Sequence, residues 1–482
     1  MQTAIPQEFK DYAEKLLGEE RYGHFEQALY DSPSVSVRMN TNKVRKIFTP
    51  SECPEFDTVV PWATAGFYLK SRPSFTSDPL FHAGGYYVQE ASSMFLECAL
   101  RQYIHQPVVA LDLCAAPGGK STHARSLLPD GSLLVSNEPI RARAQVLAEN
   151  MMKWGHSDVV VTNNYPHDFA PLKQFFDLII TDVPCSGEGM FRKEEDAVTG
   201  WSTDYVNVCS ERQREILQDI WPSLKPGGVL VYSTCTLNQY EDEENVKWIA
   251  DELGAEILPL QVPEEWGVIG SLIPEKVTSV YHFLQGFVRG EGFFLSVLRK
   301  KWDDDIDHSE NKRISKNKHH KKGNNIKKNV APEECKSWLL SSEEYDFQVY
   351  DDELTAIRRS LQPYVLVLEE HLKVLQKSIT VATMKGKDWM PSHSLAMSLD
   401  LNTSSFPCVE LTYQQAVAYL RKEVLILPSD VARGFVLVCF AGMPLGFVKN
   451  VGGRANNLYP QEWKIRSSHL SPFCLLGGRC ED

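Results

Sequence analysis

The sequence has no C-x-x-C pair among its 11 cysteines, an odd number spread from Cys53 to Cys480. That pattern fits neither a disulfide framework nor the usual zinc-site spacing, so no metal is expected and a reducing, cytoplasmic setting is. Nowhere do about 18 uncharged apolar residues follow one another, and the opening MQTAIPQEFKDYAEKLL carries charges inside any apolar stretch; neither a membrane span nor a signal peptide is expected. Positive charge is also in short supply: 50 Lys and Arg against 63 Asp and Glu leave a formal net charge of -13. The chain as a whole repels a polyanion, and any nucleic-acid contact has to come from locally basic surface.

What is present is enough apolar material, 43% of 482 residues, for about three globular domains. One run breaks the acidic balance: KRISKNKHHKKGNNIKK, residues 312 to 328, holds eight Lys or Arg and no acid. With almost nothing apolar to bury it reads as a solvated linker, a tether whose charge also suits tracking along RNA. Before it, short apolar runs alternate with helical patterns: PVVALDL (107 to 113), GSLLVSN (131 to 137), DVVVTNN (158 to 164), FDLIITD (176 to 182) and GGVLVYSTC (227 to 235). Between them RARAQVLAENMMKWG and QREILQDIWPSLKPGG have helical spacing. The pattern predicts an α/β doubly wound parallel sheet, whose ligands bind at the carboxyl ends of the strands. Beyond the linker, VLILP and GFVLVCFAGMPLGFVKN read as β runs and GGRANN as a turn.

The first strand run leads into LDLCAAPGGKST, which lacks one residue of a phosphate-binding loop: Gly119, Lys120 and Ser121 fit the template, but Cys114 stands in place of its first Gly. A side chain there opposes the backbone shape such a loop needs. A P-loop NTPase also leaves Glu138, at the end of the second run, without a task. An acid at that distance suits the hydroxyls of a ribose, Asn163 and Asn164 suit an adenine edge, and Asp182 ends the fourth run; together they describe a nucleoside pocket. Two cysteines, Cys185 in DVPCSGEG and Cys235 in YSTCT, also follow strand ends. A thiolate is a strong nucleophile, and a thiol of reference pKa near 8.5 is already a few per cent ionised at neutral pH. Adding a thiolate to carbon 6 of a cytosine makes carbon 5 enamine-like, able to take a methyl group from S-adenosylmethionine, while an acid such as Asp182 near N3 stabilises the ring. Either cysteine could be the nucleophile on position alone.

DLCAAPGGKS, the acid of SNEP, DVPCSGEGMFRK, YSTCT, VRMNTNK (37 to 43), YVQEASSM (87 to 94) and RGEGFFLSVL (289 to 298) closely resemble the Sun-type RNA (cytosine-5-)-methyltransferases. The stretch LGFVKNVGGRANNLYPQEW (445 to 463) is similar to the tail of their bacterial RsmF branch. The resemblance implies Cys235 as nucleophile and Cys185 as the thiol of product release. It also implies S-adenosylmethionine contacts from Cys114, Ala115, Ala116, Pro117, Gly118, Gly119, Lys120, Glu138, Asp182 and Asn164, the last a position where enterobacterial members carry Asp, with Asp168 as the substitute. It implies a Rossmann-like class I methyltransferase domain at 96 to 302, after an N-terminal α/β RNA-binding region at 1 to 95. Past the linker at 303 to 332 it implies a small α/β module at 333 to 385 and a PUA-like β-barrel module at 386 to 482. Lys449, Arg454, Lys464 and Arg466 are candidate phosphate contacts there. The expected partner is ribosomal RNA or the small ribosomal subunit, with transfer RNA as the other substrate and a non-catalytic RNA-binding assembly factor as the other class of function; a monomer is expected.

Overall fold

The N-terminal strands β1 (Ser36–Met39), β2 (Phe56–Val59), β3 (Gly66–Leu69) and β4 (Tyr86–Val88) form an antiparallel sheet of order β2-β3-β1-β4 in the computed structural model, which describes residues 4–44, 50–302, 331–467 and 472–476. The basic run at 312 to 328 lies outside the described residues. Helices Gln7–Leu17 and Glu19–Ala28 precede this sheet, and their Phe9, Ala13, Leu17 and Phe25 pack on Phe191, Trp201, Leu237 and Leu284 of the middle of the chain.

The five expected strands are all present as β5 (Val109–Asp112), β6 (Leu133–Asn137), β7 (Val159–Thr162), β8 (Phe176–Asp182) and β9 (Leu224–Thr234). They pair in parallel in the order β9-β8-β5-β6-β7. Each has a central stretch of buried Val, Leu, Ile or Ala, because helices cover both faces and leave no solvent side for alternation. Each such side chain fully removed from water contributes about 1.5–3 kcal/mol. The chain runs outward from β5 through β6 to β7, then crosses to β8 on the other side. The crevice at the carboxyl ends of β5 and β8 is therefore the switch point where ligands of such sheets bind. Three antiparallel strands, β10 (Ala255–Leu258), β11 (Val280–Phe283) and β12 (Phe293–Lys300), complete that edge, with β12 against β9.

The opposite edge differs from the sequence expectation. Of β13 (Tyr345–Tyr350), β14 (Glu353–Arg358), β15 (Val374–Lys377), β16 (Ile379–Lys385) and β17 (Asp388–Pro391), four form a sheet of order β13-β14-β16-β17, while β15 leaves it and pairs antiparallel with β7. The segment expected as a separate module at 333 to 385 thus supplies the ninth strand of the central sheet. The expected boundary between 385 and 386 also falls inside a hairpin, since Lys385 pairs with Asp388. The last sheet is β18 (Cys408–Glu410), β19 (Gly434–Phe440), β20 (Met443–Asn450) and β21 (Ala455–Asn457), in that order. VLILP is not a strand: Ile426 is 78% exposed, and only an isolated bridge joins Leu425 to Ala455. The N-terminal and last sheets share one core, with Val37, Phe67, Leu80 and Tyr86 packed with Tyr419, Leu420, Val436 and Leu445. Tyr413 Oη donates to the Ser77 carbonyl at 2.9 Å across this contact. Among the described residues no helix is long and apolar enough to cross a membrane.

Candidate active site

The loop after β5 turns into the helix Gly119–Leu127 through Gly118, whose φ of +116° a side chain would resist. Two of the flanking motifs brace that helix from behind. Arg38, 1% exposed, donates through Nε to Gln89 Oε1 at 2.8 Å and through Nη2 to Thr122 Oγ1 at 2.6 Å, with its guanidinium 4.4 Å over Trp154. These contacts position the loop from the protein interior, a structural task the sequence reading did not assign to VRMNTNK or YVQEASSM.

Around the loop the carboxyl ends of β5 and β6 bring together two buried acids. Asp112 accepts from Ser121 Oγ at 2.6 Å on one oxygen and, among the described residues, has no hydrogen-bond partner on the other. Burial, with Asp182 and Glu138 adding to it, pushes its carboxyl up to about 7. Glu138, 1% exposed, accepts from the Ile140 N–H at 3.0 Å and lies 3.4 Å from Arg143, whose other nitrogen donates to the Ala116 carbonyl at 3.0 Å. Arg143 therefore ties Glu138 to the Cys114–Lys120 loop. Ala115 and Ala116 are buried while Pro117 is exposed. Cys114 is half-buried at the loop's start, and burial pushes its thiol up, away from nucleophilic use.

Across the switch point, Lys120 Nζ lies 2.8 Å from Asp182 Oδ2, and Ser233 Oγ donates to Asp182 Oδ1 at 2.9 Å. Burial alone would lower the Lys120 ammonium, but Asp182, Asp112 and Cys235 outweigh it and the lysine is held more firmly cationic than usual. Its ammonium also sits 5.0 Å from the Phe293 ring.

The two cysteines meet. Cys185 Sγ and Cys235 Sγ are 2.9 Å apart as free thiols, each partly exposed, and the Cys235 N–H points to Cys185 Sγ at 3.3 Å. The contact with Cys235, reinforced by burial, holds the Cys185 proton well above the ordinary thiol range. Cys185 is therefore the thiol that keeps its proton, in contact with the Cys235 sulfur. A close backbone crossing supports this geometry: a Cβ on Gly189 would fall 2.3 Å from the Gly292 carbonyl oxygen and 2.9 Å from that of Cys235.

Behind the thiols lies a carboxylate pair absent from the sequence reading. Glu188 accepts from Thr236 Oγ1 at 2.5 Å, the Leu237 N–H at 2.9 Å, Trp201 Nε1 at 2.9 Å and Asn238 Nδ2 at 3.1 Å. Glu241 accepts from the Ser186 N–H at 3.1 Å, Gln213 Nε2 at 2.6 Å and Asn238 Nδ2 at 2.7 Å. Both are fully buried and their donors converge from both cysteine loops, so these acids clamp the loops together; a buried carboxyl is tolerable only when satisfied in this way. Burial, with Glu188 alongside, pushes Glu241 up to about 7. The signal for them is an acid close after each cysteine, at Cys185 + 3 and Cys235 + 6.

The remaining expected contacts are differently placed. Asn164 is 7% exposed, and both ends of its amide are taken by the Lys373 backbone, at 3.0 and 3.2 Å. Asp168 is partly exposed and spends Oδ2 on the Tyr165 N–H at 2.8 Å. Lys464 and Arg466 line one cleft of about 800 Å³ with Arg421, while Lys449 and Arg454 are not part of its lining. Among the described residues no group of three His, Cys, Asp or Glu could hold a metal.

Three family models match this chain: 16S rRNA methyltransferase RsmB/F over residues 103–299, the N-terminal domain of 16S rRNA methyltransferase RsmF over 5–91, and the methyltransferase RsmF PUA domain over 406–465. The "Ribosomal RNA small subunit methyltransferase F" of Aliivibrio fischeri (strain MJ11) is 30% identical over 451 residues, 90% of this chain and 92% of that protein. The protein of the same name from Klebsiella pneumoniae (strain 342) is 30% identical over 440 residues, 89% of each. Among solved structures, a methyltransferase homolog from Pyrococcus horikoshii is 28% identical with a TM-score of 0.51, covering 61% of this chain and 94% of its own. NSun6 from Pyrococcus horikoshii, solved with SFG, shares the fold with a TM-score of 0.52 at 20% identity, over 63% of this chain and all of its own.

Proposed function

The chain belongs to the RsmF family of small-subunit ribosomal RNA methyltransferases, and from that premise we propose that it methylates carbon 5 of a cytidine in 16S ribosomal RNA through a covalent adduct of Cys235 with carbon 6. The observation that carries this reading is the pair of thiols 2.9 Å apart at the carboxyl edge of the sheet, beside the Lys120–Asp182 pair. S-adenosylmethionine, when bound, supplies an electrophilic methyl group. The residues fit it: Glu138 is an acid for the ribose hydroxyls, the Gly118–Gly119 turn allows close backbone approach, and the orphaned buried oxygen of Asp112 suits a cationic amino-acid end. We place this chemistry in the cytoplasm, where thiols stay reduced.

The steps follow from the side chains. Cys235 as thiolate adds to carbon 6 of the cytosine. N3 takes up a proton from solvent as the charge arrives there, relayed through Asp182, which is 36% exposed and can reach the ring near N3, while Lys120 keeps Asp182 in place. Carbon 5, now enamine-like, would take the methyl group and then lose its proton to solvent, the freed electron pair restoring the carbon 5–carbon 6 double bond. The carbon 6–sulfur bond breaks and Cys235 leaves as thiolate. Cys185, protonated and in contact with the departing sulfur, stabilises that leaving group.

Incubation with labelled S-adenosylmethionine and unmodified small-subunit RNA is expected to place the label in 5-methylcytidine. Label in transfer RNA alone overturns the substrate assignment, and S-adenosylmethionine binding without transfer to any RNA favours the assembly-factor reading. A second expectation concerns protons. An ammonium of the amino-acid end held by Asp112 would favour its ionised form, so below the free protein's value of about 7 binding would expel a proton. Affinity should therefore fall as pH falls below 7, by at most about tenfold per pH unit. Calorimetry in two buffers of different ionisation enthalpy should show proton release at pH 6 and little at pH 8. Equal heats in both buffers at pH 6 exclude this role for Asp112.

A further inference from the structure

Every hydrogen-bonding group of Lys373, which follows the helix Gln362–His371 in the C-terminal half, is spent on the two asparagines that end β7. Its N–H donates to Asn164 Oδ1 at 3.0 Å. Its carbonyl accepts from the Asn163 N–H at 3.0 Å and from Asn164 Nδ2 at 3.2 Å. Its ammonium donates to Asn163 Oδ1 at 2.8 Å. Asn163 passes the connection on, its Nδ2 donating to the carbonyls of Glu138 and Pro139, each at 2.9 Å. A continuous chain of polar contacts thus runs from the C-terminal half of the protein to the backbone of Glu138.

The Asn164 amide behaves as an extra peptide unit, donor and acceptor paired with Lys373, the residue just before β15. An aspartate cannot do this: it has no N–H for the Lys373 carbonyl, and its second oxygen would face that carbonyl with like charge. We propose that Asn164 is a docking residue rather than a cofactor ligand, and that it and Lys373 form a latch through which the C-terminal half positions the nucleoside end of the S-adenosylmethionine site. This rests on the cofactor reading above. The latch makes Asn163, Asn164 and Lys373 positioning residues, acting through Glu138, and it makes cofactor affinity depend on whether β15 is docked.

Two substitutions separate the latch from direct contact in the full-length protein. Asn164→Asp removes one side of the pairing. Lys373→Pro removes the N–H and the ammonium on the other side without changing Asn164 itself, and the extended backbone of Leu372 (φ -121°, ψ 153°) already suits a following proline. Each is expected to raise the S-adenosylmethionine Kd and KM about tenfold, the scale of one or two lost hydrogen bonds, with kcat at saturating cofactor unchanged. The double variant is expected to be no worse than the poorer single variant, because both break one connection. Asn164→Asp binding as tightly as wild type overturns the latch, as does a Lys373→Pro protein with wild-type affinity. Linkage provides a measurement that needs no variant: if docking aids cofactor binding, cofactor binding must slow amide hydrogen exchange across 373 to 377. Unchanged exchange there at saturating S-adenosylmethionine also overturns it. Wild-type protein that binds no S-adenosylmethionine overturns the functional reading and the latch with it, whereas tight wild-type binding with unmoved variants removes the latch alone.

Discussion

Cys235→Ala is expected to transfer no measurable methyl group to RNA while binding S-adenosylmethionine as wild type does. Without addition at carbon 6 the cytosine ring stays aromatic and electron-poor, and no other group at the site can take the thiolate's place. Cys185 cannot, because its burial still holds the thiol above the ordinary range when the Cys235 sulfur is gone. Cys114 cannot, because it sits on the loop after β5, where burial pushes its thiol up. Losing the nucleophile of a covalent mechanism costs on the order of 10⁴-fold or more in kcat. The proposed cofactor contacts lie elsewhere, at Asp112, Glu138 and the loop, so affinity for it should be nearly unchanged. The measurement is label incorporation into 16S RNA beside a separate binding isotherm. Retained transfer with Cys235→Ala refutes the covalent step, whereas joint loss of transfer and binding indicates a collapsed site and calls for Cys235→Ser as the smaller change.

Much of the central sheet was legible in the sequence, because β5 to β9 are buried on both faces and each is written as one apolar run. The same local character exposed the residues at their carboxyl ends, so Glu138, Asp182, Cys185 and Cys235 could be named from position. Residues whose task is set by a distant partner were not legible. Asn164 looks like an adenine contact by its place after β7, and only the arrival of Lys373, 209 residues later, shows that its amide is occupied. β15 reads as part of a small separate module because nothing local marks it as an edge strand for β7. The shared core of the first and last sheets is hidden in the same way, since Leu80 and Leu445 are each ordinary apolar residues in their own segments. Glu188 and Glu241 were passed over for a different reason: an acid in a loop is usually solvated, and only burial among converging donors marks these two as clamps.

The second large effect is a gain rather than a loss. Cys185→Ala is expected to accumulate a covalent protein–RNA complex, seen as a band of reduced mobility that survives denaturation and disappears on RNA digestion. Addition of Cys235 and methyl transfer do not require the second thiol, but elimination must return a full negative charge to the Cys235 sulfur. In the wild-type protein the Cys185 Sγ is 2.9 Å from that sulfur and can donate its proton to the departing thiolate, and a charge-assisted hydrogen bond of this kind is worth roughly twice a neutral one. Alanine removes it and leaves a partly buried sulfur with less to stabilise its departure, so the adduct should outlive the methylation step and turnover should stall near one methyl per protein. The order of the two roles is what the pair of variants decides. If Cys185→Ala gives neither adduct nor product, Cys185 is needed for addition and the assignment is reversed. If the adduct forms, introducing Cys235→Ala on top must abolish it, because the bond that traps the RNA is then the one Cys235 makes.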